Sequence, residues 1–115
     1  MYTDARQFLG QTVAVLMDRP LGSKHPKYGY IYPVNYGFIE GTLAPDNQEL
    51  DAYVLGVNEA VEEYSGRCIA LIHRQKDDDD KLVVVPEGVT MTDEEIRQAT
   101  HFQEQYFTSD IIRSA

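Results

Sequence analysis

Residues 32–51, YPVNYGFIEGTLAPDNQELD, decide how the rest of the chain is read. The stretch opens on aromatic and β-prone residues, passes tight places at Gly37 and Gly41, and closes with Asp46, Glu49 and Asp51 inside six positions. Aromatic and β-branched side chains fit a pleated surface, whereas Pro45 presets φ ahead of Asp46 and Asn47 and makes TLAPDNQ a turn. In the ELDAYV that follows, a period of two places Glu49, Asp51 and Tyr53 on one face and Leu50, Ala52 and Val54 on the other. Tyr32 and Tyr36 are an even number of residues apart and are expected to share a face unless a bulge intervenes. Pro33 holds that segment to an edge or a bulge. Crowded carboxylates repel, and a counter-ion relieves the repulsion. A hard divalent cation suits oxygen ligands beside a turn, and Mg²⁺ needs only one or two carboxylates when phosphate oxygens complete its shell. A solvated acidic turn has the same spacing, so both readings stand at this level.

Towards the N-terminus, VAVLM (13–17) reads as a first strand, and residues 1–12 carry one helical turn with Asp4 as its cap. Between this strand and Tyr32 lies a Pro- and Gly-rich loop holding Arg19, Lys24, His25 and Lys27. In a chain with only 10 Lys plus Arg this cluster suits an anion near the carboxylates, although solvent-facing loop lysines give the same pattern. Towards the C-terminus, RCIALIHR (67–74) and KLVVVP (81–86) read as the two strands of a hairpin joined through QKDDDD. His73 ends the first of these and reads as a structural histidine. Cys68, among apolar neighbours, reads as a buried small hydrophobe and not a nucleophile. From Thr92 to Phe107 the period becomes helical. Thr92 and Glu95 form a capping box, and Ile96, Ala99, Phe102 and Tyr106 recur on one side. Ile111 and Ile112 are placed to dock back. Strands without βαβ alternation, then one helix, predict a mainly β fold: a small closed OB-like barrel of about five strands with a C-terminal helix, residues 1–115 forming a single domain.

A formal charge of -9 argues against nucleic acid and anionic membrane as partners, though metals and a few lysines can invert the field locally. No apolar run reaches the length of a membrane span, and MYTDARQF lacks the basic-then-apolar pattern of a secretory signal. The single cysteine fits a reducing compartment, so cytoplasm is the expected location.

YPVNYGFIEGT followed by DNQELDA (46–52) resembles the soluble, Mg²⁺-dependent inorganic pyrophosphatases of the small β-barrel type. The chain is similar to a short, divergent member of that family along residues 13–107. The family signature is Asp, a small or polar residue, Asp, Pro or Glu, an aliphatic, Asp and a small aliphatic residue. Only Gln48 departs from it, standing where the family has an Asp. The resemblance implies Mg²⁺-dependent hydrolysis of inorganic diphosphate. Asp46, Gln48, Glu49 and Asp51 would occupy the catalytic positions, with Asp46, Asp51 and Asp79 as metal ligands. Lys27, Tyr36, Lys81 and Tyr106 would bind the diphosphate, Tyr32 would match a second active-site tyrosine, and Asp18 would stand in for a family Glu. A homo-oligomer is implied as well.

The departures bear on chemistry. The family's Asp at position 48 acts as general base, and an amide lacks that basicity, so Glu49 is the nearest substitute. Gly29 replaces a Glu, a segment bearing a phosphate-binding Arg is missing between Gly29 and Tyr32, and Phe107 replaces a Lys. Arg74 falls where the family has an Asp ligand, unless Asp77 serves in its place. Two alternatives accompany the leading reading: a hydrolase of another small phosphate compound, and a catalytically weakened metal- and phosphate-binding oligomeric protein.

Overall fold

Alternating apolar side chains give strands with two usable faces, and in this chain both faces are covered. The computed structural model describes residues 1–76 and 79–114. Among the described residues six strands form one sheet: β1 (Thr12–Arg19), β2 (Asn35–Ile39), β3 (Leu50–Val54), β4 (Glu63–Arg74), β5 (Asp79–Val85) and β6 (Ser109–Ile112). Their order is β1-β2-β3-β5-β4-β6, and β4 also pairs with β1, so the first five strands close into a barrel with β6 on its outside. All pairings are antiparallel except β3 with β5, whose parallel register sets Asp51 against Lys81. A single 3₁₀ turn, Ala5–Phe8, carries Asp4 as its cap, and the helix α1 spans Asp93–Glu104. The predicted barrel-plus-helix architecture is the observed one.

Val13, Val15, Leu50, Ala52, Val54, Cys68, Leu71, Leu82 and Val84 fill the barrel. The outer face of the same strands carries Tyr36, Tyr53, Ala70, Ile72, Val83 and Val85, with Tyr32 and the helix residue Ile96 against them. Leu50, Ala52 and Val54 thus face away from Tyr53, and Tyr32 and Tyr36 share the outer layer, as the period of two predicts. A register shift between Cys68 and Ala70 carries the apolar run of β4 past its partner and keeps Cys68 inside. Burial pushes the Cys68 thiol up to about 11. Gly37 packs so closely that a Cβ there would lie 2.0 Å from the Leu16 carbonyl oxygen. Only glycine lets β1 and β2 pair at that point.

The N-terminus of α1 is the expected capping box: Glu95 N–H donates to Thr92 Oγ1 at 3.1 Å, and Thr92 N–H donates to Glu95 Oε1 at 2.8 Å. Ile96 is fully buried, and Ala99 and Phe102 pack beside it. Tyr106 departs from the expected stripe. The helix ends at Glu104, so Tyr106 lies beyond its last turn and is 69% exposed. Thr100, Gln103 and Glu104 take the buried positions instead: Thr100 donates back to the Ile96 carbonyl, and the sheet beneath offers polar partners to Gln103 and Glu104. Ile111 and Ile112 dock as β6, opposite Ile72 and Leu71 of β4. The link containing Asp77, named above as an alternative ligand, lies partly outside the described residues. Among those described, no helix is long and apolar enough to cross a membrane.

Candidate active site

The parallel β3–β5 pairing and the β4–β5 hairpin bring charged strand ends to one end of the outer face, beneath the C-terminus of α1. Lys81 lies opposite Asp51 in register, and Asp79, two residues earlier, shares its side of β5. Lys81 Nζ donates to Asp51 Oδ2 at 2.7 Å and to Asp79 Oδ2 at 2.9 Å. Burial pulls the ammonium pKa down, but the two carboxylates outweigh it and hold Lys81 above its ordinary value. Tyr36, on the adjacent β2, is buried against Asp51. Burial first, then that carboxylate, raises its hydroxyl well above the usual tyrosine range.

Arg74 ends β4 and pairs across the hairpin with Asp79, its Nη1 lying 3.5 Å from Asp79 Oδ2. Its Nε and Nη2 donate to Glu104 Oε1 and Oε2 at 3.0 and 2.7 Å, a two-pronged bond to the last helical residue. The Phe107 ring lies against the same guanidinium, 3.7 Å from its central carbon. Burial opposes the charge on Arg74, yet Glu104 more than compensates and keeps its pKa raised. Tyr53 donates its hydroxyl to Glu104 Oε2 at 2.6 Å and accepts from Gln103 Nε2 at 2.8 Å. Gln103 Oε1 in turn accepts from the hydroxyls of Tyr30 and Tyr32, at 2.9 and 2.8 Å. Every link from sheet to helix end is therefore satisfied, which gives the site a fixed frame.

Beside this frame opens a cavity of about 640 Å³ lined by His25, Tyr28, Tyr30, Tyr36, Arg74, Lys81, Gln103, Tyr106 and Phe107. Two cations, Lys81 and Arg74, stand against three carboxylates, Asp51, Asp79 and Glu104, leaving one negative charge. Asp18 adds to that side. Burial raises its pKa, Arg19 opposes the shift, and the charges of Asp51 and Glu49 add to it.

Of the residues singled out in the sequence, the fold brings Asp51, Asp79, Lys81 and Tyr36 together, with Tyr106 on the cavity wall. Asp46 and Gln48 are exposed on the turn before β3, where Asp46 Oδ1 accepts the Gln48 N–H at 3.0 Å. Glu49 is half-buried between that turn and the strand. Lys27 is exposed, its ammonium 5.3 Å from the Tyr28 ring centre, and is not among the residues lining the cavity. His73 pairs with Asp80 through Nδ1 at 2.6 Å, in keeping with a structural role. Gln103 and Glu104 belong to the site although no motif in the sequence marks them, and Tyr53 joins them from the Asp51 face of β3. The signal available was Gln103, seven residues after Ile96 on the apolar side of the helix.

Among the described residues no three His, Cys, Asp or Glu side chains gather into a ready-made metal cage. Asp51 and Asp79 share one ammonium within a cluster short of positive charge. That donor set fits a divalent ion held by two carboxylates and completed by phosphate oxygens.

Residues 11–112 match the family model described as inorganic pyrophosphatase. No curated protein matches the chain. Among solved structures, the inorganic pyrophosphatase from Helicobacter pylori superposes with a TM-score of 0.67 at 19% identity, over 89% of this chain and 84% of that one. The enzyme from Neisseria gonorrhoeae gives 0.63 at 23% identity, over 90% and 81%. That from Thermus thermophilus gives 0.63 at 20%, over 98% and 87%. These likenesses bear on the fold.

Proposed function

The chain belongs to the inorganic pyrophosphatase family, and from that premise we propose that it hydrolyses inorganic diphosphate to two phosphates with the aid of Mg²⁺. The carrying observation is the ion cluster of Asp51, Asp79, Glu104, Lys81 and Arg74, one positive charge short before any anion enters, whose two cations, Lys81 and Arg74, line one cavity. A dianionic or more highly charged substrate needs further positive charge there. Mg²⁺ on Asp51 and Asp79 would neutralise phosphoryl oxygens and favour departure of the leaving group.

The protein's own residues divide the remaining work. Lys81 and Arg74 present ammonium and guanidinium donors to phosphate oxygens, and Glu104 fixes the guanidinium plane by its two-pronged bond. Tyr36 stays protonated across the neutral range and can donate its hydroxyl. Tyr53 positions Glu104, and Gln103 ties Tyr53, Tyr30 and Tyr32 to the end of the helix. Glu49, on the Asp51 side of the strand, is the proposed acceptor for the proton of the attacking water in the absence of a carboxylate at Gln48. Asp46 stands in the same turn.

Phosphate release from inorganic diphosphate across a Mg²⁺ titration tests this reading. Wild type is expected to turn over only with the cation, and Asp51→Asn to lose roughly 10²–10³-fold in kcat. With Glu49 as the base, Glu49→Gln is expected to lose about 10²–10⁴-fold and Gln48→Asp to change kcat little; a gain of about 10²–10⁴-fold in Gln48→Asp would instead show that the chain lacks a general base. No release by folded wild type at any Mg²⁺ concentration overturns the proposal. Exposed Met1, Tyr2, Ile31 and Leu43 support self-association, which a light-scattering mass of 13.1 kDa at micromolar protein would overturn. The proposed compartment is the cytoplasm, supported by the lone buried thiol of Cys68.

A further inference from the structure

A diphosphate ion is small and polar, whereas the cavity is about 640 Å³ and six of its nine lining residues carry rings. That volume lies in the range of sites for organic ligands of roughly 300–1,000 Å³. The charged groups, Arg74 and Lys81, belong to strand ends at the barrel surface, while the rings come chiefly from the 25–30 loop and the segment after α1. One cavity therefore has a cationic part and an aromatic part.

The aromatic part is held in place. His25 Nδ1 accepts the backbone N–H groups of Lys27 and Tyr28 at 3.1 and 3.0 Å, which fixes the imidazole within its loop. The Tyr28 ring stacks on it at 5.0 Å between centres, and the Tyr30 ring approaches its other neighbour position at 4.7 Å. Tyr30 is tied in turn to Gln103 on the helix. Yet Tyr28 and Tyr106 are each 69% exposed while lining the cavity. The Tyr28 ring, stacked on a fixed imidazole, and the Tyr106 ring, just beyond the end of the helix, are both open to the cavity and offer faces on which a planar group stacks. The Gln103 carbonyl already accepts two hydroxyls and is not free to read a ligand. The surface is suited to shape and π-face contact, not to reading one particular heterocycle.

We propose that this cavity takes diphosphate esters bearing a planar aromatic substituent, with the diphosphate on Lys81 and Arg74 and the ring against Tyr28 and Tyr106. The inference rests on the hydrolase reading for its chemistry but extends the substrate class. In the reaction, water oxygen bonds to the terminal phosphorus and the bond from that phosphorus to the bridging oxygen breaks. The bridging oxygen leaves with its electron pair on the aromatic monophosphate, inorganic phosphate is the other product, and the water's proton passes to a carboxylate and then to solvent. Water is the only co-reactant.

The test measures equilibrium binding of phenyl diphosphate, methyl diphosphate and inorganic diphosphate to the full chain in Mg²⁺, followed by phosphate release from each. Stacking on Tyr28 and Tyr106 is expected to make phenyl diphosphate bind roughly tenfold or more tightly than methyl diphosphate. Tyr28→Leu and Tyr106→Leu, both at exposed positions, are each expected to shrink that phenyl-to-methyl ratio several-fold. Equal affinity for the two esters, or a ratio unchanged in both variants, overturns the proposal. Turnover of inorganic diphosphate with neither binding preference nor turnover of the phenyl ester overturns it while leaving the simpler hydrolase reading in place. A phenyl preference that depends on the two tyrosines, with no hydrolysis of any diphosphate, supports the subsite and overturns the hydrolase reading.

Discussion

The inside of the barrel and the layer beneath α1 are built on the two faces of the same strands, and they are made by different physics. Inside, Val13, Leu50, Val54, Leu71, Leu82 and Val84 contact one another through apolar atoms alone. Outside, Tyr36, Tyr53, Ile72 and Val83 form an equally buried layer whose margin is Arg74, Lys81, Gln103 and Glu104. The interior can be satisfied by volume and shape, with no requirement for any single partner. In the outer layer the buried polar atoms depend on specific partners, so removing a single group takes hydrogen bonds from others. A closed barrel thus supplies the stiffness, and its outer face is left free to carry charge.

Substitutions can break this division or sharpen it. The largest effect is expected at Gly37, which serves both faces because it lets β1 approach β2. Gly37→Ala places a methyl 2.0 Å from a backbone carbonyl, and the variant is expected to give no cooperative unfolding transition by circular dichroism. Next comes the outer layer. Glu104→Ala leaves buried Arg74 with only its longer contact to Asp79 and removes the acceptor of the Tyr53 hydroxyl proton, and a loss of about 3–5 kcal/mol is expected in urea unfolding. The double variant Arg74→Met with Glu104→Leu is expected to recover most of that stability while leaving diphosphate turnover at the level of Arg74→Met alone. Recovery of turnover along with stability would show that the ion pair is only structural.

Inside the barrel, Leu82→Ala is expected to cost about 2–5 kcal/mol, with kcat per folded molecule within about twofold of wild type. A larger change in kcat would mean that the two faces are mechanically coupled. The smallest effect concerns pH. Burial raises the Cys68 thiol from an ordinary value near 9 to about 11, so the unfolded chain loses its proton first as pH rises. Stability contributed by the neutral buried thiol is complete below pH 9 and declines between 9 and 11. The urea midpoint is expected to fall across that window, and Cys68→Ala to flatten part of the slope. Tyr30, Tyr32, Tyr36 and Tyr53, all raised by burial, and Lys81, lowered by burial but raised further by its carboxylates, contribute with the same sign.

Much of this was legible in residue order because the responsible interactions are local or periodic. The two-residue period separating Leu50, Ala52 and Val54 from Asp51 and Tyr53 follows from strand geometry. The Thr92–Glu95 box follows from helix-end donors that need partners within one turn. The DNQELDA stretch carried the family resemblance, and with it the barrel and the expectation that Asp51, Asp79 and Lys81 belong together. What residue order could not decide was which distant groups meet. Lys81 between Asp51 and Asp79 depends on the parallel β3–β5 register, and Arg74 on Glu104 depends on where α1 stops. Asp46 and Lys27 looked equivalent to Asp51 and Lys81 in sequence, yet the first stands on an exposed turn and the second on an exposed loop. Tyr106 has helical spacing, but one turn too many, and is left on the cavity wall instead of in the helix interface. Local order determined the elements and their faces, since those depend on neighbours a few bonds away. The site was decided by tertiary structure, because long-range register, burial and charge pairing are properties of the closed barrel and not of any one segment.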